Sequence, residues 1–289
     1  MHACHGDFHD PGAVRIDSHQ HFWNYSPQEY AWIDGRMQRI ARDFLPADLL
    51  PELVRSRLDG CIAVQAHSSL QETQFLLECA RAHPFVRAVV GWADLCAVDA
   101  EVTVARLAGN KLLRGLRHIV QAEPDDFLLR PDFQRGVRSL ARHGLVYDIL
   151  IFPRQLAAAT RFVQALPNQP FVLDHLAKPD IAHGERQLWE RGLRALARHP
   201  NVACKLSGMV TEAAWNTWQP ADFTFYLDVA LDAFGEDRLL FGTDWPVCLV
   251  AARDHAQVHD LLANWAAKLS PIAQSKLFGD NAARIYGIA

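Results

Sequence analysis

No apolar stretch of this chain is long enough to span a bilayer, and its opening, Met1-His2-Ala3-Cys4-His5-Gly6, lacks a basic segment followed by an apolar one. Neither a membrane span nor a secretory leader is expected, and the cytoplasm is the expected compartment. Dense blocks of lysine and arginine are missing as well, and the formal net charge is −4. Without a basic stripe, nucleic acid is not an expected partner. The six cysteines (Cys4, Cys61, Cys79, Cys96, Cys204 and Cys248) form no Cys-x-x-Cys pair and are scattered through apolar runs, so they read as reduced core residues. Gly-rich phosphate loops and a Gly-x-Ser-x-Gly elbow are absent, which removes the usual signatures of nucleotide and serine-hydrolase chemistry.

What is present is a balance of 50% hydrophobic and 21% charged residues over 289 positions, undivided by any low-complexity linker. That length suits a single (β/α)8 barrel. Residues 1–12, with three histidines, Cys4 and no periodicity, read as a flexible terminal extension, and residues 13–289 as one catalytic domain. Eight short apolar runs that end in polar residues predict strands near 14–19, 60–65, 89–92, 114–119, 145–149, 171–174, 202–206 and 239–242. Helical patterns lie between them. Ser69-Leu70-Gln71-Glu72 has capping-box spacing before an apolar face, and 188–197 and 223–234 repeat every 3.6 residues. Alternating strands and helices imply a parallel α/β sheet, and eight units favour its closure into a barrel. The long connection from Phe22 to Asp59, between strands 1 and 2, is the expected cap over the site.

In such a barrel the reactive face lies at the C-terminal ends of the strands. Those ends carry His19 and His21, Gln65 and His67, Trp92 and Asp94, Arg117 and His118, Asp148, Asp174 and His175, Lys205 and Ser207, and Thr243-Asp244-Trp245. Residues two apart on a strand point the same way, so the imidazoles of His19 and His21 can converge on one point.

Asp17-Ser18-His19-Gln20-His21-Phe22-Trp23, Arg114-Gly115-Leu116-Arg117-His118, Asp174-His175-Leu176-Ala177-Lys178-Pro179 and Phe241-Gly242-Thr243-Asp244-Trp245-Pro246 follow one another in order along the chain. This set resembles the amidohydrolase superfamily, in its amidohydrolase-2 branch, which contains sugar-acid lactonases of the fuconolactonase and rhamnonolactonase type. The resemblance runs from about residue 14 to 288. It implies a hydrolase of sugar lactones, L-fuconolactone or a related aldonolactone, with a place in fucose degradation and a small-molecule partner. A metal-dependent decarboxylase of an aromatic or unsaturated acid is the alternative that the same barrel offers. Two-metal members of the superfamily use a bridging lysine or glutamate on strand 4 and a histidine after strand 5, where this chain has Arg117, His118 and Asp148, so one metal or none is implied.

On this resemblance Asp244 is the expected general base, with His19, His21 and His175 holding the water or a metal and polarising the lactone carbonyl. His19, His21, Asp244 and His175 form a nitrogen and oxygen set suited to a single divalent ion, zinc by preference. A metal-free site, with arginine and histidine supplying positive charge, remains the other arrangement. Because neighbours on a strand alternate, only one of Arg117 and His118 is expected to face the barrel mouth; His118 is preferred as the site residue and Arg117 for a buried salt bridge. Asp148, Gln65 and His67 are expected ligands for sugar hydroxyls, and Trp32, Trp92 and Trp245 offer flat faces to a sugar ring. Lys205 has two readings, a partner for a carboxylate or a contact for substrate. Glu72 is expected to cap its helix with Ser69.

Overall fold

The computed structural model describes residues 14–184 and 186–288. The segment read as a flexible extension, 1–12, lies outside the described residues. Eight strands, β1 (Ile16–Gln20), β2 (Gly60–Val64), β3 (Val86–Gly91), β4 (Leu113–His118), β5 (Val146–Ile149), β6 (Phe171–Leu173), β7 (Val202–Leu206) and β8 (Leu239–Phe241), pair in parallel in sequence order. A helix follows each: α1 (Pro46–Arg55), α2 (Leu70–Ala82), α3 (Ala100–Ala108), α4 (Pro131–Leu140), α5 (Leu156–Ala165), α6 (Gln187–Ala197), α7 (Pro220–Phe234) and α8 (His255–Ala266). Two short helices, α9 (Pro271–Ser275) and α10 (Asn281–Tyr286), end the described chain. This is a single (β/α)8 barrel, as the eight apolar runs require.

The seam between β1 and β8 is closed by the residues that follow β8: Asp244 N donates to His19 O at 2.8 Å, and His21 N to Trp245 O at 2.7 Å. Closure therefore draws the two ends of the sequence together at the future site.

Strand alternation sorts the core. Ile16, Ile62, Val64, Ala88, Val90, Val146, Val172, Ala203 and Leu240 fill the barrel interior with Ala282 and Tyr286 of α10, while the opposite faces of the strands pack under the helices. Two residues beyond Val146, Val172 and Ala203 on the same inward face come Asp148, Asp174 and Lys205, all fully buried. The interior thus changes from aliphatic to charged on approaching the mouth.

β1 does not alternate strictly. Ile16 faces inward, so an unbroken pleat would send His19 and His21 outward with Asp17. The pairing of β1 with β2 shifts register between Asp17 and Gln20, and this irregularity turns both histidines into the mouth.

Candidate active site

Three imidazoles meet one carboxylate. Nε2 of His21, His19 and His175 lie 3.1, 3.7 and 3.9 Å from Asp244 Oδ1, all in groups almost fully buried. Each ring is aimed from behind. His21 Nδ1 donates to Val64 O at 2.7 Å, His175 Nδ1 sits 2.9 Å from Ser207 Oγ, and His19 Nδ1 is 3.3 Å from Asp174 Oδ1. A neutral histidine that donates from Nδ1 has a bare lone pair on Nε2. With Nδ1 committed to Val64 O, His21 Nε2 bonds Asp244 Oδ1 only through a proton or a cation held between the two.

The electrostatics agree. Burial lowers His175 to about 4 and takes His19 well below its ordinary value, so both imidazoles are neutral near neutrality. Burial opposes the charge of Asp244, but the neighbouring His175, the hydrogen bond from His21 and the nearby His19 outweigh it and hold the carboxyl well below the usual carboxylate range. The neighbouring buried cations are engaged elsewhere: Lys205 Nζ bridges Asp148 at 2.6 Å and Asp174 at 3.1 Å, and Arg117 Nη1 reaches Asp174 at 3.0 Å. Asp244 is left without a fixed cation of its own.

Local backbone choices place these groups. Asp17, at the start of the first motif, accepts from Thr243 N at 3.0 Å and from His255 Nε2 at 3.2 Å, tying β1 to the Asp244 turn. At Gly242 a Cβ would come within 2.8 Å of His19 Cβ, and at Gly208 one would lie 2.4 Å from His175 Nδ1, so both glycines exist to let a histidine approach. Asp244 itself has φ 60°, and the four residues His175, Leu176, Ala177 and Lys178 have φ 54°, 53°, 59° and 51°. A left-handed turn of non-glycine residues costs about 1–2 kcal/mol per residue. It persists because Leu176 and Ala177 are fully buried and Trp189 Nε1 holds Leu176 O at 2.6 Å.

The constellation opens into a cavity of about 620 Å³. His21, His175, Asp244, Arg117 and His118 contribute to its wall, as does Trp32 from the β1–β2 connection. That connection covers the mouth as expected, with Trp32 and Met37 facing the cavity. Trp32 is 39% exposed, an open flat face at the rim.

Several expected contacts resolve differently. Arg117 is the inward-facing member of its pair: besides Asp174, its Nη1 lies 3.3 Å from His19 Nε2, and it contributes to the wall, so the buried salt bridge and the site are one place. His118 faces outward at the end of β4, stacked on Phe127 at 5.0 Å and bonded to Glu123 at 2.9 Å, yet the loop after the strand folds back and leaves its ring in the cavity wall. Gln65, expected to meet sugar hydroxyls, is fully buried and its Oε1 accepts from Arg117 Nε at 2.7 Å. Asp148 is spent inside the barrel on Lys205 and on Tyr286 Oη, 2.8 Å away. Trp92 supports His118, its Nε1 donating to Nδ1 at 3.2 Å, and Trp245 packs into the core against Phe22 and Phe44. His67 packs against Tyr30 and lies beside the cavity rather than in its wall. Glu72 goes beyond the cap: Ser69 Oγ accepts from its backbone N, but its carboxylate accepts from Ala66 N and His67 N and from Tyr30 Oη, pinning the loop after β2.

Lys205, read from the sequence as a carboxylate partner or a substrate contact, pairs with Asp148 and Asp174, while Asp174, Asp17 and Ser207 carry no role in the sequence reading. Their signal was position: each lies one or two residues from a motif histidine or ends an apolar run.

Imidazoles and a carboxylate converging at the C-terminal mouth of a (β/α)8 barrel define a metal-dependent or water-activating hydrolytic site as a class. The chain belongs to the amidohydrolase family, whose model, described as Amidohydrolase, matches residues 16–288. It is 45% identical over 289 residues to the L-fucono-1,5-lactonase of Burkholderia multivorans, covering 96% of this chain and 97% of that protein. It is also 37% identical over 280 residues to the L-fucono-1,5-lactonase of Burkholderia ambifaria, covering 95% and 96%. A crystal structure of an amidohydrolase from Burkholderia multivorans with bound zinc superposes with a TM-score of 0.91 at 45% identity over 96% of this chain and all of that one. Among the described residues, no helix is long and apolar enough to cross a membrane.

Proposed function

We propose that this chain, as one catalytic domain over 13–289, hydrolyses a sugar-acid lactone, L-fucono-1,5-lactone or a close relative, to the free aldonate. The carrying observation is Asp244, a buried carboxylate on the cavity wall held ionised among three imidazoles, in a chain 45% identical to a lactonase of that substrate. Asp244 takes a proton from water as the water oxygen bonds to the lactone carbonyl carbon. The oxyanion that forms lies near the Arg117 guanidinium, which is fixed by Gln65 and Asp174 and needs no reorganisation. When the tetrahedral intermediate collapses, the ring C–O bond breaks and Asp244 returns the proton to the departing ring oxygen. The product is a hydroxy acid, which releases a proton to solvent at neutral pH.

His19, His21 and Asp244 also fit a divalent ion, zinc by preference, because their Nε2 and Oδ1 atoms converge while His21 Nδ1 is committed to Val64 O; His175, braced by Ser207 and with Nε2 3.9 Å from the same Oδ1, would join the set. When bound there, such an ion would acidify water and polarise the carbonyl. Met37, Val247 and Val250 add an apolar stretch of wall that suits the methyl group of a 6-deoxy sugar acid.

Proton release from L-fucono-1,5-lactone, read with a pH indicator on chelator-stripped and zinc-restored protein, tests both statements. Turnover in both forms assigns the chemistry to Asp244 and its neighbours, and turnover only with zinc makes the ion essential. Silence in both rejects the lactonase and turns attention to decarboxylation.

A further inference from the structure

One charged pair in the cavity wall has no part in the chemistry above. Lys178 Nζ and Glu212 Oε1 are 3.1 Å apart, both side chains less than one-fifth exposed, and both contribute to the wall that holds His175 and Asp244. Lys178 is the last residue of the left-handed turn that begins at His175, and its N donates to His175 O at 2.7 Å. Its ammonium lies 5.6 Å from the centre of the Phe152 ring. Glu212 is fixed from the loop after β7: its backbone O accepts from Ala182 N at 3.0 Å, and Thr211 Oγ1 is 3.4 Å from Oε1.

An ion pair that merely tied two loops together would contribute little and would give no reason to hold a lysine in a strained backbone beside the reacting centre. A polyol ligand supplies that reason. Each hydroxyl is both donor and acceptor, so two adjacent hydroxyls are satisfied by one donor and one acceptor side by side. A cation and an anion held together offer that combination with charge-assisted strength and no net charge.

We infer that Lys178 and Glu212 read two adjacent hydroxyls of the substrate ring, the ammonium donating to one and the carboxylate accepting from the other, and so set the preference for hydroxylated over plain lactones. This inference rests on the lactonase reading.

The test compares kcat/KM for L-fucono-1,5-lactone and for unsubstituted δ-valerolactone in wild type, Lys178→Gly, Lys178→Met and Glu212→Gln, with Tm measured alongside. Glycine adopts positive φ without strain, so Lys178→Gly removes the ammonium while Tm holds or rises. The expected result is that the preference ratio, hydroxylated over plain, falls about 10- to 100-fold in both lysine variants and by a smaller factor in Glu212→Gln. A ratio that stays at the wild-type value overturns the inference, as does an equal loss on both lactones, which would place Lys178 in bond making or in folding. Wild-type silence on both lactones removes the parent reading and this one with it, and is visible before any variant is made.

Discussion

Two buried polar layers lie one above the other in this barrel, and they are built on opposite rules. In the lower layer Arg117, Asp148, Asp174, Lys205 and Tyr286 match donor to acceptor, each carboxylate meeting a cation. In the upper layer the Nε2 atoms of His19, His21 and His175 gather round a single oxygen of Asp244, three imidazoles to one carboxylate. Burial alone therefore does not mark the site, since the lower layer is the more deeply buried. What marks it is complementarity left open toward something that comes from solvent. The lower layer fixes His19 and Arg117 from beneath; on the proposed function, the upper layer is where water, substrate and a cation meet.

That contrast breaks most sharply at Asp244. On the proposed function, Asp244→Asn keeps the shape and removes the base, and turnover of the lactone is expected to fall about 10²- to 10⁴-fold while the melting temperature stays close to wild type. In the lower layer the effects should be reversed. Lys205→Met leaves Asp148 and Asp174 facing each other without their shared cation, and urea denaturation should show a loss of about 3–5 kcal/mol. A small stability loss there would mean that the layer is not the matched structure described.

Glu72 sharpens the comparison as a third case, a buried carboxylate satisfied mainly by neutral N–H and O–H groups. Burial raises it from 4.5 to about 7 against the backbone donors of His67 and Ala66, nearby Arg117 and the Tyr30 hydroxyl. Between these values the folded state holds more protons than the unfolded one, so this group's contribution to stability is full at low pH and is lost as pH rises toward 7. Relative to Glu72→Gln, which cannot titrate, the wild type should lose up to about 3 kcal/mol across that window. Denaturation curves at pH 5 and pH 8 check it; parallel behaviour of the two proteins would contradict the raised value.

The smallest expected effect concerns aim rather than charge. Ser207→Ala frees Nδ1 of His175 and should weaken zinc binding, measured by competition with a chromophoric chelator, by about 10- to 100-fold with little change in Tm. If affinity were unmoved, His175 would not belong to the ion's ligand set.

Much of the fold was legible because it is written in local periodicity. All eight strands fall where short apolar runs predicted them, with ends within a few residues, and a helix follows every one. That Asp244, His19, His21 and His175 come together was legible because they end such runs, and a barrel carries run ends to one face. Function was legible through the motifs together rather than any one of them.

The supporting residues were harder. Gln65, Trp92, Asp148 and Trp245 also end strands, and residue type alone did not separate a ligand from a brace. Which way each points depends on loop paths and partners distant in the chain: Trp92 found His118, Gln65 found Arg117, and Asp148 found Tyr286 of α10. Arg117 and His118 show the same limit. Alternation separated them correctly, but the returning loop after β4 put both in the wall.

The sequence by itself determined the succession of strands and helices and the kinds of side chain at the barrel mouth, because periodicity and polarity act over a few residues at a time. Only the tertiary structure decided which of those side chains are spent on one another and which stay open. That decision rests on a register irregularity in β1 and on ring closure, which sets Asp244 N against His19 O across more than two hundred residues of chain. Neither distance nor pairing of that range is encoded in any local segment.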